Sequence, residues 1–164
     1  MRTRIATAVS CFAIALGGAS FAHAQSFSPA PADFEIVNSE FTVEQTQELV
    51  CNIDGFEGSV ATGGGSATID VGPTLLEGDD LCDNVGLDSS DWVITPTGGS
   101  SVSVSGISAT TLLGTCSGTV TGTFSGNTLS IPRQTIPGDV FGFPMDCYIE
   151  GDATTDNDAI SLVP

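Results

Sequence analysis

Positive charge is what this sequence almost lacks. Its 164 residues include no Lys, one His at His23 and three Arg, against 20 Asp and Glu. Nucleic-acid binding relies on Lys and Arg to displace counterions from phosphates, so that class of partner is excluded. An anionic membrane surface would be repelled by the same field. A second long apolar run is missing too: after the first two dozen residues nothing of spanning length follows, and no transmembrane segment is expected there. From Gln25 onward there is no His to act as a base and no Lys for Schiff-base chemistry, so the usual nucleophile–base pairs cannot be assembled. Carboxylates are abundant, but their spacing defines no glycosidase-like cleft. The composition therefore points to a protein that is not an enzyme, with no catalytic residues and no cofactor-binding residues. Helical periodicity is equally scarce. The stretch VEQTQELV at 43–50 could pass for a short helix, yet no full amphipathic face surrounds it.

What is present begins with an export signal. Arg2 and Arg4 precede the apolar stretch 5–21, and Ala22-His23-Ala24 supplies the small residues that signal peptidase requires before Gln25. Residues 1–24 are read as a signal peptide, and the protein as secreted or held at the cell surface. Cys11 leaves almost no apolar segment ahead of it, which argues against a lipid anchor. Residues 25–33 are rich in Pro and are expected to be a flexible leader or an edge segment. Residues 34–164 are then one β domain, long enough for a single core. In the chain from Gln25, Arg133 alone faces twenty acids, a net charge of −19. Solubility and mutual repulsion outside the cell are the plain reading of that imbalance.

Four cysteines follow the signal segment: Cys51, Cys82, Cys116 and Cys147, spaced 31, 34 and 31 positions apart. An even count in an exported chain argues for two disulfides, and the absence of both C-x-x-C pairs and His argues against zinc. Three pairings exist. The equal spacing hints at an internal duplication and favours Cys51 with Cys82 and Cys116 with Cys147, although two similar halves could also exchange partners.

Apolar residues alternate along most of the remaining chain. Phe34 and Ile36, Phe41 and Val43, Cys51 and Ile53, Ile69 and Val71, Trp92 and Ile94, Val102 and Val104, and Leu129 and Ile131 all fall at period two, as half-buried strands require. In TCSGTVTGTF-SGN-TLSI, Ser125, Gly126 and Asn127 supply turn residues between two alternating runs, the pattern of a β-hairpin. About eight or nine short strands without a strong helix predict an all-β fold, a disulfide-bonded sandwich or flattened barrel.

Two kinds of candidate site stand out. Asp79, Asp80, Asp83, Asn84, Asp88 and Asp91 crowd one stretch, and Asp152, Asp156, Asn157 and Asp158 another, offering the hard oxygen donors that calcium prefers. Neither has EF-hand spacing, and a solvated acidic loop is the simpler expectation for both. The other candidate is the apolar run Val140, Phe141, Phe143, Pro144 and Met145, for which core packing is the default and an exposed contact patch the alternative. Trp92, within an alternating strand, is expected in the core.

Four short motifs carry a family resemblance: GTCSGTVTG at 114–122, SATI at 66–69, WVIT at 92–95 with the Val-Ser-Val strand after it, and CYIEG at 147–151. Together they resemble the PraB family, proteins called activators of alkane oxidation. The resemblance implies a small exported β protein concerned with the cell surface, biofilm, adhesion or contact with hydrophobic substrates, and not a catalyst. It supplies no active-site residues. The strong acidity and the Phe-rich insert before Cys147 depart from the more neutral pattern of such proteins. The partner expected is a hydrophobic surface or another protein. Competing readings are a fibre subunit joined by strand addition, which entails self-association, and a calcium-dependent binding module.

Twenty carboxylates against one Arg repel one another at neutral pH, and salt screens that repulsion. Thermal melts should therefore give a higher Tm in high than in low NaCl; a Tm that falls with added salt would contradict this.

Overall fold

A computed structural model describes residues 25–71, 76–88, 91–156 and 160–164; the expected signal peptide lies outside the described residues. The first half contains β1 (Ser26–Ser28), β2 (Ala32–Glu44), β3 (Glu48–Asn52), β4 (Glu57–Val60), β5 (Ala67–Ile69), β6 (Glu77–Gly78) and β7 (Gly86–Leu87), with a single 3₁₀ turn at Cys82–Asn84. The second half contains β8 (Trp92–Gly98), β9 (Ser101–Thr110), β10 (Gly114–Ser125), β11 (Thr128–Ile136), β12 (Gly138–Val140), β13 (Phe143–Pro144), β14 (Cys147–Thr155) and β15 (Ser161–Val163). No α-helix occurs among the described residues. Where VEQTQELV had a helical look, residues 45–47 form the turn of the β2–β3 hairpin, with Phe41 facing Cys51 and Glu44 facing Glu48.

Eight strands close on themselves in the order β10-β11-β14-β2-β4-β5-β8-β9, and β9 pairs back to β10. The expected sandwich or flattened barrel is thus a closed antiparallel barrel, with the remaining strands outside the ring. Closure leaves no open edge in the ring and makes every inward side chain part of one core. Ile36, Ile69, Ile94, Val102, Val104, Val120 and Ile131 fill it, and Trp92 lies in it with its ring edge-on to Phe41 at 6.0 Å. The alternation breaks where the barrel bends. On β9, Val102 and Val104 point inward, and Gly106, at φ +84°, inserts one residue so that Ile107 and Ala109 continue inward. Only Gly fits there, because a Cβ would collide with the Asp91 carbonyl. The expected β10–β11 hairpin is present: Phe124 faces Leu129, Ser125 faces Thr128, and Gly126 at φ +62° opens the two-residue turn.

Within residues 25–33, expected as a flexible leader or an edge segment, a short strand pairs outside the ring. Ser26 to Ser28 pair with Ser161 to Val163, Phe27 is only 1% exposed, and Ala32 already begins β2. One aromatic ring buried against Phe124, at 5.3 Å and nearly perpendicular, outweighs the reluctance of the Pro-rich link to join a sheet.

Cys51 bonds Cys82, and Cys116 bonds Cys147. In each case the first cysteine lies opposite a glycine on a neighbouring strand: Cys51 opposite Gly78, and Cys116 opposite Gly138. The missing side chain makes room for the crosslink. A Cβ on Gly138 would stand 2.5 Å from the Cys147 Sγ and 2.6 Å from the Thr115 carbonyl oxygen. The two halves are otherwise unlike, since Cys51 sits in a five-residue strand and Cys116 in one of twelve.

This crowding makes Gly138→Ala costly, by about 2–3 kcal/mol as for other overpacked sites. Gly86→Ala, with no neighbour within 4 Å of the added carbon, should cost far less. Urea denaturation of the two variants compares them; equal stabilities would refute the packing argument.

Candidate functional site: the apolar end of the barrel

Three turns meet at one end of the barrel. Residues 45–47 join β2 to β3, residues 111–113 join β9 to β10, and Phe141 with Gly142 joins β12 to β13. Each is built by short-range chemistry. Thr111 closes its turn by accepting the Leu113 and Gly114 amides on its Oγ1, at 3.1 and 3.2 Å. In the β12–β13 turn Val140 faces Phe143, so both turn residues leave the ladder, and Phe141 takes φ +51°. The Phe141 amide donates to the Leu113 carbonyl at 2.8 Å, locking two of the turns together.

Asp139 organises the junction. One carboxylate oxygen accepts the Gly142 amide at 3.1 Å, the other accepts the Thr115 hydroxyl at 2.5 Å, and its carbonyl accepts the Gln45 Nε2 at 2.6 Å. The Thr115 hydroxyl first, and then the Gly142 amide, hold the Asp139 carboxyl below its ordinary 3.8. One side chain thereby ties the Phe-bearing turn to β10, and its backbone ties it to the β2–β3 turn.

These turns present apolar side chains to solvent. Phe141 and Phe143 are 73% and 75% exposed, Leu112 is 71% exposed, and Leu113, Leu81 and Met145 are exposed beside them. Of the run expected by default in the core, only Val140 is half-buried. The physical reason is the place of the hairpin: among the described residues β12 pairs with β10 from outside the ring and β13 ends the sheet, paired with β12 alone. A groove of about 190 Å³ continues the surface, walled by Val43, Leu49, Leu81, Val85, Leu112 and Leu113. Sequence reading named Phe141, Phe143 and Met145 but missed Leu112 and Leu113. The signal available was Thr-Thr-Leu-Leu-Gly, two large apolar residues at a turn where polar ones are usual.

The acidic candidates are dispersed. Asp79 accepts the Val50 amide at 2.9 Å, Asp88 accepts the Ser108 hydroxyl, and Asp80 and Asp83 are exposed. Asp91 lies elsewhere, in an open groove on the barrel wall with Asp33, Glu35, Glu57, Asp70 and Asp156. The described acids of this stretch are drawn to different neighbours, since Cys82 is tied to Cys51 and β7 pairs with β9. Asp152 sits on β14 opposite Glu40, while Asp156 accepts the Glu35 amide at 2.8 Å; Asn157 and Asp158 lie outside the described residues. Among the described residues no group of three or more His, Cys, Asp or Glu is arranged to hold a metal. No helix there is long and apolar enough to cross a membrane.

The family described as alkane oxidation protein activator PraA/PraB-like matches residues 1–164, the whole chain. No curated protein and no solved structure matches.

The Asp139 bonds set a pH dependence. Its pKa is lowered on folding, so its contribution is complete above the unfolded value and is lost as pH falls through the lower folded one. The protection factor of the Gly142 amide against hydrogen exchange should hold at neutral pH and collapse under acid. Asp139→Ala, which removes both acceptor oxygens, should reproduce the collapse at neutral pH, and unchanged protection in that variant would contradict the role given to Asp139.

Proposed function

The chain belongs to the alkane oxidation protein activator PraA/PraB-like family, and we propose from that membership that it is an exported, non-enzymatic protein that meets hydrophobic substrates or surfaces through the apolar end of its barrel. The observation that carries this reading is the exposure of Phe141 and Phe143 on a braced turn, beside Leu112 and Leu113, in an otherwise acidic molecule. A contiguous exposed apolar patch marks an interaction surface, and two rings of this size dominate what it can gain. Residues on a stapled scaffold lose little conformational freedom on contact, which leaves more of the burial energy for binding.

The remaining charge suits the same role. Acids spread over the barrel wall keep the molecule in water and leave the apolar end as the place where another phase can be touched. The absence of Lys, and of any His after position 23, is the ground for proposing contact rather than catalysis. Adhesion and biofilm roles follow from the same surface when the hydrophobic phase belongs to a neighbouring cell or a solid support.

Partitioning to an oil–water interface tests the proposal. Burying two rings now about three-quarters exposed is worth about 2–4 kcal/mol, or roughly 100-fold in adsorption to hexadecane droplets. The F141S/F143S double variant should lose about that factor while keeping its thermal melt. Adsorption equal to that of the parent would reject the apolar end as the contact surface.

A further inference from the structure

At β1 the chain holds its own residues as a receptor holds a peptide. Among the described residues β1 joins no part of the large sheet; it pairs with β15, Ser26 facing Val163, Phe27 facing Leu162 and Ser28 facing Ser161. From the other side the Phe27 amide donates to the Gly64 carbonyl at 2.7 Å. Gly64, at φ +73°, lies so close that any Cβ there would collide with the Phe27 carbonyl. The Phe27 ring, 1% exposed, is buried in the barrel core: it packs edge-on against Phe124 and shares one small internal void with Phe34, Ile36, Ile69, Ile94 and Leu129, and this is the slot that holds it. A strand partner, a carbonyl from a facing loop and a deep pocket for one side chain are the features by which folds capture extended peptides. The covalent tie is slight. Pro29-Ala30-Pro31 connects β1 to β2, and its two prolines have no N–H to offer a ladder.

We propose that this slot accepts the same segment from a second copy of the chain, so that Phe27 of one molecule plugs the barrel of the next by strand exchange. The contacts are those already seen within one chain, so no new surface has to evolve for the assembly. A short link favours exchange, because release of the segment frees it from a tight connection. Each molecule offers one donor segment and one slot, and an exchange can be reciprocal, closing a two-fold dimer, or one-way. One-way exchange uses the donor of one molecule and the slot of the next, so it is head-to-tail and extends as a filament unless its rotation closes a ring. The repulsion between like-charged copies makes assembly salt-dependent.

Crosslinking between register partners tests this. Ser26 and Val163 face each other only when β1 is seated on β15, and a disulfide requires Cα atoms within about 7 Å. Two chains, one carrying S26C and the other V163C, are mixed over a range of concentrations and NaCl and mildly oxidised. Exchange predicts a covalent 26-to-163 heterodimer that grows with concentration and salt and is lost when the S26C chain also carries F27A. Absence of that heterodimer at every concentration, while the S26C/V163C double variant closes fully within single chains, overturns the proposal. A second readout needs no cysteine. Excess synthetic QSFSPAP peptide should shrink assemblies of the unsubstituted chain in size-exclusion chromatography; assemblies indifferent to it, or a chain monomeric throughout, count equally against exchange.

Discussion

The ladder between β2 and β14 is the constraint on which the rest of the molecule depends. It runs from Glu44 opposite Tyr148 to Ile36 opposite Thr155, joining strands more than a hundred positions apart. Without it the eight strands are an open sheet with two exposed edges; with it they are a barrel with an inside. The ladder forms against electrostatic resistance, since Glu40 lies directly opposite Asp152. Arg133, the one cation among the described residues, projects from β11 to this seam. Its guanidinium contacts Glu44 on β2 and Glu150 on β14, and lies 4.7 Å from the Tyr148 ring centre. The hydrogen bond to Glu44 first, and then that to Glu150, raise its pKa further above its ordinary value. Exposed ion pairs contribute little singly, but here one charge serves both strands of the closure at once.

Closure also explains why an apolar surface can stand in water at one end. Both disulfides flank that end: Cys82 adjoins Leu81 at the groove, and Cys116 faces Gly138 two residues before Val140. In the chain-entropy account each loop of this length contributes about 3–4 kcal/mol by restricting the unfolded chain. Exposed Phe and Leu side chains gain nothing for folding, so the turns that display them are held by other means: crosslinks, the Asp139 bonds and the link from Phe141 to Leu113. The opposite demand is met at β1, where a single ring is drawn into the core by a segment with few other attachments.

Legibility differed from element to element for identifiable reasons. The cysteine pairing, the hairpin at Gly126 and the burial of Trp92 were readable because each depends on spacing, turn chemistry or alternation within one stretch. Phe27 was not, because its partners Leu162, Gly64 and Phe124 come from three distant parts of the chain. The run at 140–145 reads as core by composition alone, and only the place of its hairpin at the sheet end, outside the ring, puts Phe141 and Phe143 in solvent. The acids of 79–91 look like one cluster when written in a line, and the fold sends Asp79 to β3, Asp88 to β9 and Asp91 to the barrel wall.

What the amino-acid order determined unaided was the all-β class, the disulfide framework and the excess of negative charge, since period-two alternation, cysteine spacing and charge count are local or additive properties. Tertiary structure alone decided that the strands close into a barrel, which apolar residues face water, and which segment fills the slot beside β15. Those outcomes rest on pairings such as Ile36 with Thr155 and Phe27 with Leu162, whose members are remote in the chain and become neighbours only when the whole sheet has wrapped round its core.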